Sequence, residues 1–355
     1  MKKRMLAVMA ALLALIVVMG GCGAPNGSSG KITLNILNWG DYISDDLIDE
    51  FEAKYGIDIN YIPASSNEEM YVSITTEGSY YDIIFPSDYL VERLVSEGYL
   101  REIDYDKLPG AQYLDDKFMN RGGVDYDSGN VYSVPYTWGT LGILYNTKYV
   151  TEPVTSWNIL WDEDYSGEIY MYDSMRDSIS AALLRLGYDL NTRSEAEIAD
   201  AVEALKAQKP LVKSYGGDEM RDSMIGGSGA LCLTYSGDAV YCMMENPDLA
   251  FAVPEEGSNI FFDCMVIPVT CKNEDAAYQF INFLLDPEVA TINTEYIGYS
   301  TPNAKVMELI GEDYLSNNAF NPSDDVIGRC TVFHDLGDFT QVYSDAWQEV
   351  KWYTP

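Results

Sequence analysis

Carboxylates and aromatic rings coincide at four places in this chain. They are Trp39 with Asp41 and Tyr42, Ser87 with Asp88 and Tyr89, Tyr235 with Asp238, and Phe261 and Phe262 with Asp263. A fifth acid, Asp177, stands at the start of a predicted helix, and Tyr299 lies in the run 297–301. These residue types suit an aliphatic chain that carries ammonium groups. Each buried ammonium needs a carboxylate, because an unpaired buried charge is prohibitive. The methylenes need an apolar wall, at roughly 0.8 kcal/mol per CH₂ buried. Ring faces supply that wall and add about 0.5–2 kcal/mol of cation–π attraction. Plainer readings stand beside this one. Asp41 and Asp177 suit helix caps or first turns, Asp238 after Gly237 suits a turn, and aromatics at strand ends suit a core. Spacing alone leaves both open.

The elements that must position these side chains alternate. Strand patterns cover 32–37, 57–62 and 81–85, and helical patterns follow at 44–55, 67–77 and 89–97. Ser44 is the expected N-cap of the first helix, and Gly56 and Gly98 close the first and third. Three such units predict an open α/β sheet with helices on both faces. Ligands of such sheets bind beyond the C-terminal ends of the strands, which is where 38–42, 63–66 and 86–89 fall. The stretch 131–145 reads as an extended crossing, and alternation resumes beyond it. Strands are expected at 168–172, 211–214 and 230–234, and helices at 177–186 and 195–207. A return strand at 261–269 and helices at 275–285 and 288–295 complete the pattern. A lobe left and re-entered by extended segments predicts two lobes closing about a hinge. The expected division is 31–138 plus 264–303 and 139–263 plus 304–355.

Composition narrows the classes. The chain has 56 acidic and 22 basic residues, a net charge of −34, which excludes nucleic acid as a partner. His334 is the one histidine, so a Ser-His-Asp, Cys-His or multi-His zinc site is not expected, and neither a catalytic group nor a metal set is assigned. Cys232, Cys242, Cys264, Cys271 and Cys330 show no C-x-x-C spacing and read as buried thiols. At the N-terminus, Lys2, Lys3 and Arg4 precede an apolar run over 5–19, the proportions of a secretory leader. Gly20-Gly21-Cys22 then reads as a lipoprotein processing site, with a leader at 1–21 and a Gly/Ser tether over 22–30. Acyl chains on Cys22 would tie an extracytoplasmic protein to the membrane.

Six segments, in order, resemble the spermidine- and putrescine-binding lipoproteins of bacterial polyamine ABC transporters. They are 37–42 (Leu-Asn-Trp-Gly-Asp-Tyr), 81–87, 134–139 (Val-Pro-Tyr-Thr-Trp-Gly), 262–263, 281–287 and 297–303. The resemblance implies a two-lobe periplasmic-binding-protein fold that closes over a polyamine, without a cofactor, and delivers it as a monomer to a membrane permease. It implies Trp39, Tyr42, Ser87, Tyr89, Tyr235 and Phe261 as walls or hydrogen-bond partners, and Asp177 and Asp263 as the main acids with Tyr299 beside them. Asp41 and Asp238 match acids of putrescine-type members. Tyr235 and Phe261 stand where spermidine binders often carry tryptophans, and Ser174 stands where those carry a further acid. Asp88 is an acid unusual at its position, and the C-terminal glutamine of spermidine binders falls near Phe333 and His334 without a match. These departures tilt the expectation toward putrescine. The alternatives are a binder of another small cation or a metal, the latter through some of the 28 tyrosines, a secreted carboxylate-pair hydrolase, and a sensor module.

Overall fold

A computed structural model describes residues 31–121 and 126–354. The leader at 1–21, Cys22 and the tether at 22–30 lie outside the described residues. The chain opens with three strand–helix units: β1 (Thr33–Trp39) and α1 (Asp45–Tyr55), β2 (Asp58–Ala64) and α2 (Asn67–Thr75), β3 (Ile83–Ile84) and α3 (Asp88–Ser96). A long strand, β4 (Ser133–Asn146), leads to β5 (Ile169–Tyr172), α4 (Met175–Arg185) and α5 (Glu195–Gln208). Then come β6 (Val212–Gly216), α6 (Met220–Ile225), β7 (Leu231–Tyr235), α7 (Ser236–Glu245) and β8 (Leu249–Ala252). The return strand β9 (Ser258–Val266) precedes α8 (Glu274–Leu285) and α9 (Pro287–Ile297), and the chain ends with β10 (Cys330–Thr331) and α10 (Thr340–Trp352).

Residue alternation explains the layers of the first half-sheet. Successive strand side chains point to opposite faces. Leu34 and Ile36 of β1 therefore join Leu47 and Phe51 of α1 and Phe280 and Ile281 of α8 in one core. Leu37 packs on the other face with Met70 of α2 and Leu90 and Leu94 of α3. The second half repeats the plan. Ile169 and Met171 of β5 pack with α4, α5 and α10, whereas Tyr170 and Cys232 pack with α6 and α7. Ser66, Ser174 and Ser194 cap α2, α4 and α5, each accepting from the backbone N–H three residues on. Ser44 sits at the cap of α1 as expected, but its hydroxyl makes no cap bond. Its N–H donates instead to Asn293 Oδ1 at 3.1 Å.

Topology joins the halves. β1 pairs in parallel with β2 and β3, and β5 pairs in parallel with β6 and β7. β4 is shared: its first part, Ser133 to Thr140, pairs antiparallel with β9, and its second part, Leu141 to Asn146, pairs antiparallel with β7 and β8. The register shifts between Pro135 and Thr137, an irregularity that accommodates a residue without an N–H. The return strand starts at Ser258, three residues earlier than the sequence pattern suggests, because Ser258 and Asn259 pair with β10 and Ile260 already pairs with β4. Helices α6, α7 and α10 and strand β8 were not expected from the sequence. Gly237 and the short lengths of α6 and β8 obscure any period.

Gly142 lies where β4 meets β8. A Cβ there would sit 2.7 Å from the Ala252 carbonyl oxygen and overlap the Phe251 ring. Gly142→Ala is expected to lose about 1–3 kcal/mol in urea unfolding, as overpacking in a sheet core does; unchanged stability would show that the two strands can part at this point.

Candidate functional site

Strand direction decides where the site falls. The C-terminal ends of β1, β2, β3, β5, β6 and β7 all open onto one cleft of about 1340 Å³. Trp39, Asp41, Tyr42, Ser87, Asp88, Tyr89, Asp177, Tyr235, Asp238, Phe261, Asp263 and Tyr299 all line it. The six strand ends thus bring together residues that lie far apart in sequence.

Two acids in this cleft are buried and, among the described residues, make no salt bridge. Asp263, on β9, is 3% exposed. Its Oδ1 accepts from Ser87 Oγ at 2.6 Å and its Oδ2 from the Tyr42 hydroxyl at 2.5 Å. Burial pushes this carboxyl up to about 6, against the lowering effect of those two hydroxyls. Asp177, in the first turn of α4, is 4% exposed. Its Oδ2 accepts from Ser174 Oγ at 2.5 Å and from the Tyr235 hydroxyl at 2.7 Å. Burial raises its carboxyl too, while Ser174, Tyr235 and the charge of Arg176 pull it down. Each acid is therefore held by one serine and one tyrosine. Among the described residues, the ion-paired acids of the cleft are Asp41, Asp173, Asp218 and Asp238, not these two.

A chain of rings connects the two acids. Tyr42 and Tyr299 have centroids 5.6 Å apart, Tyr299 and Phe261 5.8 Å, and Phe261 and Tyr235 5.4 Å. Tyr172 continues it, 4.8 Å from Tyr235. The Tyr42 hydroxyl holds Asp263 and the Tyr235 hydroxyl holds Asp177. Gly237 makes the close approach possible, since a Cβ there would lie 2.5 Å from the Tyr299 ring. Acid, apolar wall, acid is the resulting order.

The remaining acids differ. Asp88 is fully buried, but its Oδ1 accepts from the Tyr89 N–H at 2.7 Å and its Oδ2 from the Phe262 N–H at 3.1 Å. It ties the start of α3 to β9, which makes it a brace within the cleft wall. Burial raises its carboxyl well above the usual range. Asp238 in α7 is 5% exposed, and burial and Asp218 push it up to about 7 against the charge of Arg221. Its Oδ1 lies 3.5 Å from Arg221 Nη1. Asp41, with its side chain 76% exposed, stands at the rim 3.9 Å from Arg221 Nη2.

Two arginines of the cleft escaped the sequence reading. Arg221 follows β6, and the cleft-lining loop 217–219 precedes it; a search of that strand end would have found it. Arg176 is buried beneath rings, 4.2 Å from the Phe333 centroid and 5.4 Å from the Tyr89 centroid. Its guanidinium donates to the His334 carbonyl at 3.2 Å and to Asn191 Oδ1 at 2.9 Å, pinning the segment that carries Phe333. Nothing local in the sequence marks that contact across 158 residues.

Two half-sheets sharing long crossing strands, with their parallel strand ends facing one acidic, ring-walled cleft, define a solute-binding protein of the two-lobe class. The chain belongs to the bacterial extracellular solute-binding protein family, whose model matches residues 46–321. It is 34% identical over 322 residues to the spermidine/putrescine-binding periplasmic protein 1 of Haemophilus influenzae, covering 90% of this chain and 89% of that one. A solved ABC transporter chain from Listeria monocytogenes is 41% identical with a TM-score of 0.87, over 91% of this chain and 99% of that one. The spermidine/putrescine ABC transporter substrate-binding protein PotD of Streptococcus pneumoniae is 39% identical with a TM-score of 0.77, over 90% and 99%.

The raised Asp263 carboxyl has a consequence for the empty protein. Its folded value of about 6 lies above the ordinary 3.8, so its stabilising contribution is full below 3.8 and is lost as pH rises through 6. Asp263→Asn removes that loss. The variant is expected to gain unfolding free energy relative to the parent on going from pH 4.5 to pH 7.5, by up to about 2 kcal/mol. Parallel stability curves over that range would show that this carboxyl is not held up by burial.

Proposed function

We propose that this protein captures a polyamine, putrescine or spermidine, in the inter-lobe cleft and delivers it to an ABC permease. The observation that carries this is the pair of buried acids, Asp263 and Asp177, that hydroxyls hold without a salt bridge along one aromatic wall. A buried carboxylate held only by hydroxyls is incompletely compensated, and an ammonium supplies the missing charge. Tyr299, Phe261 and Tyr235 then cover the methylenes between. Trp39, Tyr89 and Ser87 complete the wall, and Asp88 braces it from behind. The names of the relatives from Haemophilus influenzae and Streptococcus pneumoniae point to the same ligand class. The family is one of solute binding, in keeping with capture rather than turnover.

The lobes of the proposal are 31–138 plus 264–303 and 139–263 plus 304–355. β4 and β9 supply the crossing strands that such a division needs. Ligand held by Asp177 and Asp263 of the second lobe and covered by Trp39, Tyr89 and Tyr299 of the first would favour the closed state through its higher affinity for it. The protein works as a monomer outside the cytoplasm, tied to the membrane by acyl chains on Cys22.

Calorimetric titration with putrescine, cadaverine, spermidine and spermine tests the ligand class. At least one is expected to bind at physiological salt while glutamate does not; a protein that takes only the anion would refute the reading. Asp263→Asn is expected to weaken the preferred amine by about 2–5 kcal/mol, the cost of stranding a buried charge. Affinity should also fall as pH drops through about 6, where Asp263 takes up a proton, by up to about tenfold per pH unit. A flat profile from pH 5 to 7.5 would remove Asp263 from the ammonium contact.

A further inference from the structure

Four acids that line the cleft are buried: Asp88, Asp177, Asp238 and Asp263. Their partners divide them. Asp88 is spent on the backbone N–H groups of Tyr89 and Phe262. Asp177 and Asp263 have hydroxyl donors alone. Asp238 already faces a cation. Arg221 reaches it from α6, with Nη1 at 3.5 Å from Oδ1, and places Nη2 3.7 Å from Asp218 and 3.9 Å from Asp41. Asp41 follows β1 of the first half-sheet, whereas Arg221, Asp218 and Asp238 belong to the second. The guanidinium therefore stands across the mouth of the cleft. Asp173, another acid of the lining, is similarly matched by Lys351 at 2.8 Å.

We propose that Arg221 is a resident cation filling one ammonium position of the cleft, so that this protein selects a diamine over a triamine. The inference rests on the polyamine reading and adds the charge count to it. Two buried carboxylates that make no salt bridge among the described residues match two ammonium groups. A third ammonium entering near Asp238 meets a guanidinium already in place and must displace it or lie beside it. The arginine is held by its own surroundings: Nε donates to the Asp218 carbonyl at 3.1 Å, and the guanidinium lies 5.7 Å from the Tyr241 ring centroid. A ligand thus competes with a tethered group whose local concentration is high. Asp238 is then a partner of the protein's own cation, although it matches an acid of putrescine-type relatives in sequence.

The test is a calorimetric comparison of putrescine and spermidine on the mature parent protein, Arg221→Gln and Arg221→Lys, at pH 7.5 and fixed salt. The parent is expected to favour putrescine at least tenfold. Arg221→Gln should move the ratio toward spermidine by tenfold or more, because Asp238 becomes available. Arg221→Lys keeps a cation in place and should stay near the parent ratio. A merely structural role for Arg221, or one as a latch across the cleft, would weaken both amines alike and leave the ratio unchanged. That result overturns the inference while leaving polyamine capture intact, as does a parent that prefers spermidine. A parent that binds neither amine overturns the functional reading itself, and the inference with it.

Discussion

The cleft depends on one unfavourable arrangement, a carboxylate buried among rings with no salt bridge to answer it. At Asp263 the protein offsets the lost hydration with two hydroxyl donors, Ser87 and Tyr42, and at Asp177 with Ser174 and Tyr235. Hydrogen bonds to a charged group contribute about 1.5–3 kcal/mol each, which is less than full compensation for a desolvated ion. The deficit shows in the raised carboxyl of Asp263. A residue that breaks the rule of paired buried charge without local remedy marks a place where stability yields to binding.

The fold makes this arrangement harder to build than it first looks. Parallel strands followed by helices point helix N-termini at the cleft, and N-terminal peptide dipoles favour anions as ligands. A cation site on such a frame has to invert that field. Asp88, Asp177 and Asp238 stand in the first turns of α3, α4 and α7, where the peptide dipoles favour a negative charge while burial opposes it. Asp263 is different, since it sits within a strand and has no helix behind it. The hydroxyls of Ser87 and Tyr42 are its side-chain donors.

β4 and β9 convert this local chemistry into a property of the whole molecule. Thr137 of β4 lies opposite Asp263 of β9, and its hydroxyl is 3.0 Å from that of Tyr42. The same β4 runs on to pair with β7, whose last residue, Tyr235, holds Asp177. Both acids are thus attached to the strands that join the halves. In the proposed cycle, neutralising them alters the balance of charge at the junction itself, where small rotations about the crossing strands would open or shut the cleft.

Much of this was legible in the residues. The 2.0 and 3.6 periodicities of the first three strand–helix units, with Gly56 and Gly98 as stops, determined an open α/β sheet and named its strand ends as the place to look. Acid beside ring at those ends determined the chemistry of the lining. What the sequence could not decide was which acids are free. Asp88 and Asp263 look alike as letters, yet one is spent on backbone N–H groups and the other on hydroxyls. Asp177 and Asp238 both begin helices, yet one meets Tyr235 and the other Arg221. Helix α7, which carries Asp238, was missed because Gly237 hid its period, and α10, which closes the second core through Tyr343, Ala346, Trp347 and Val350, was missed although its buried residues recur at helical spacing. Residue types and short-range spacing follow from local sterics and propensity. The charge state of a buried acid follows from groups brought near it by long-range packing, such as Asp263 against Tyr42 across 221 residues, and only the tertiary structure decides those.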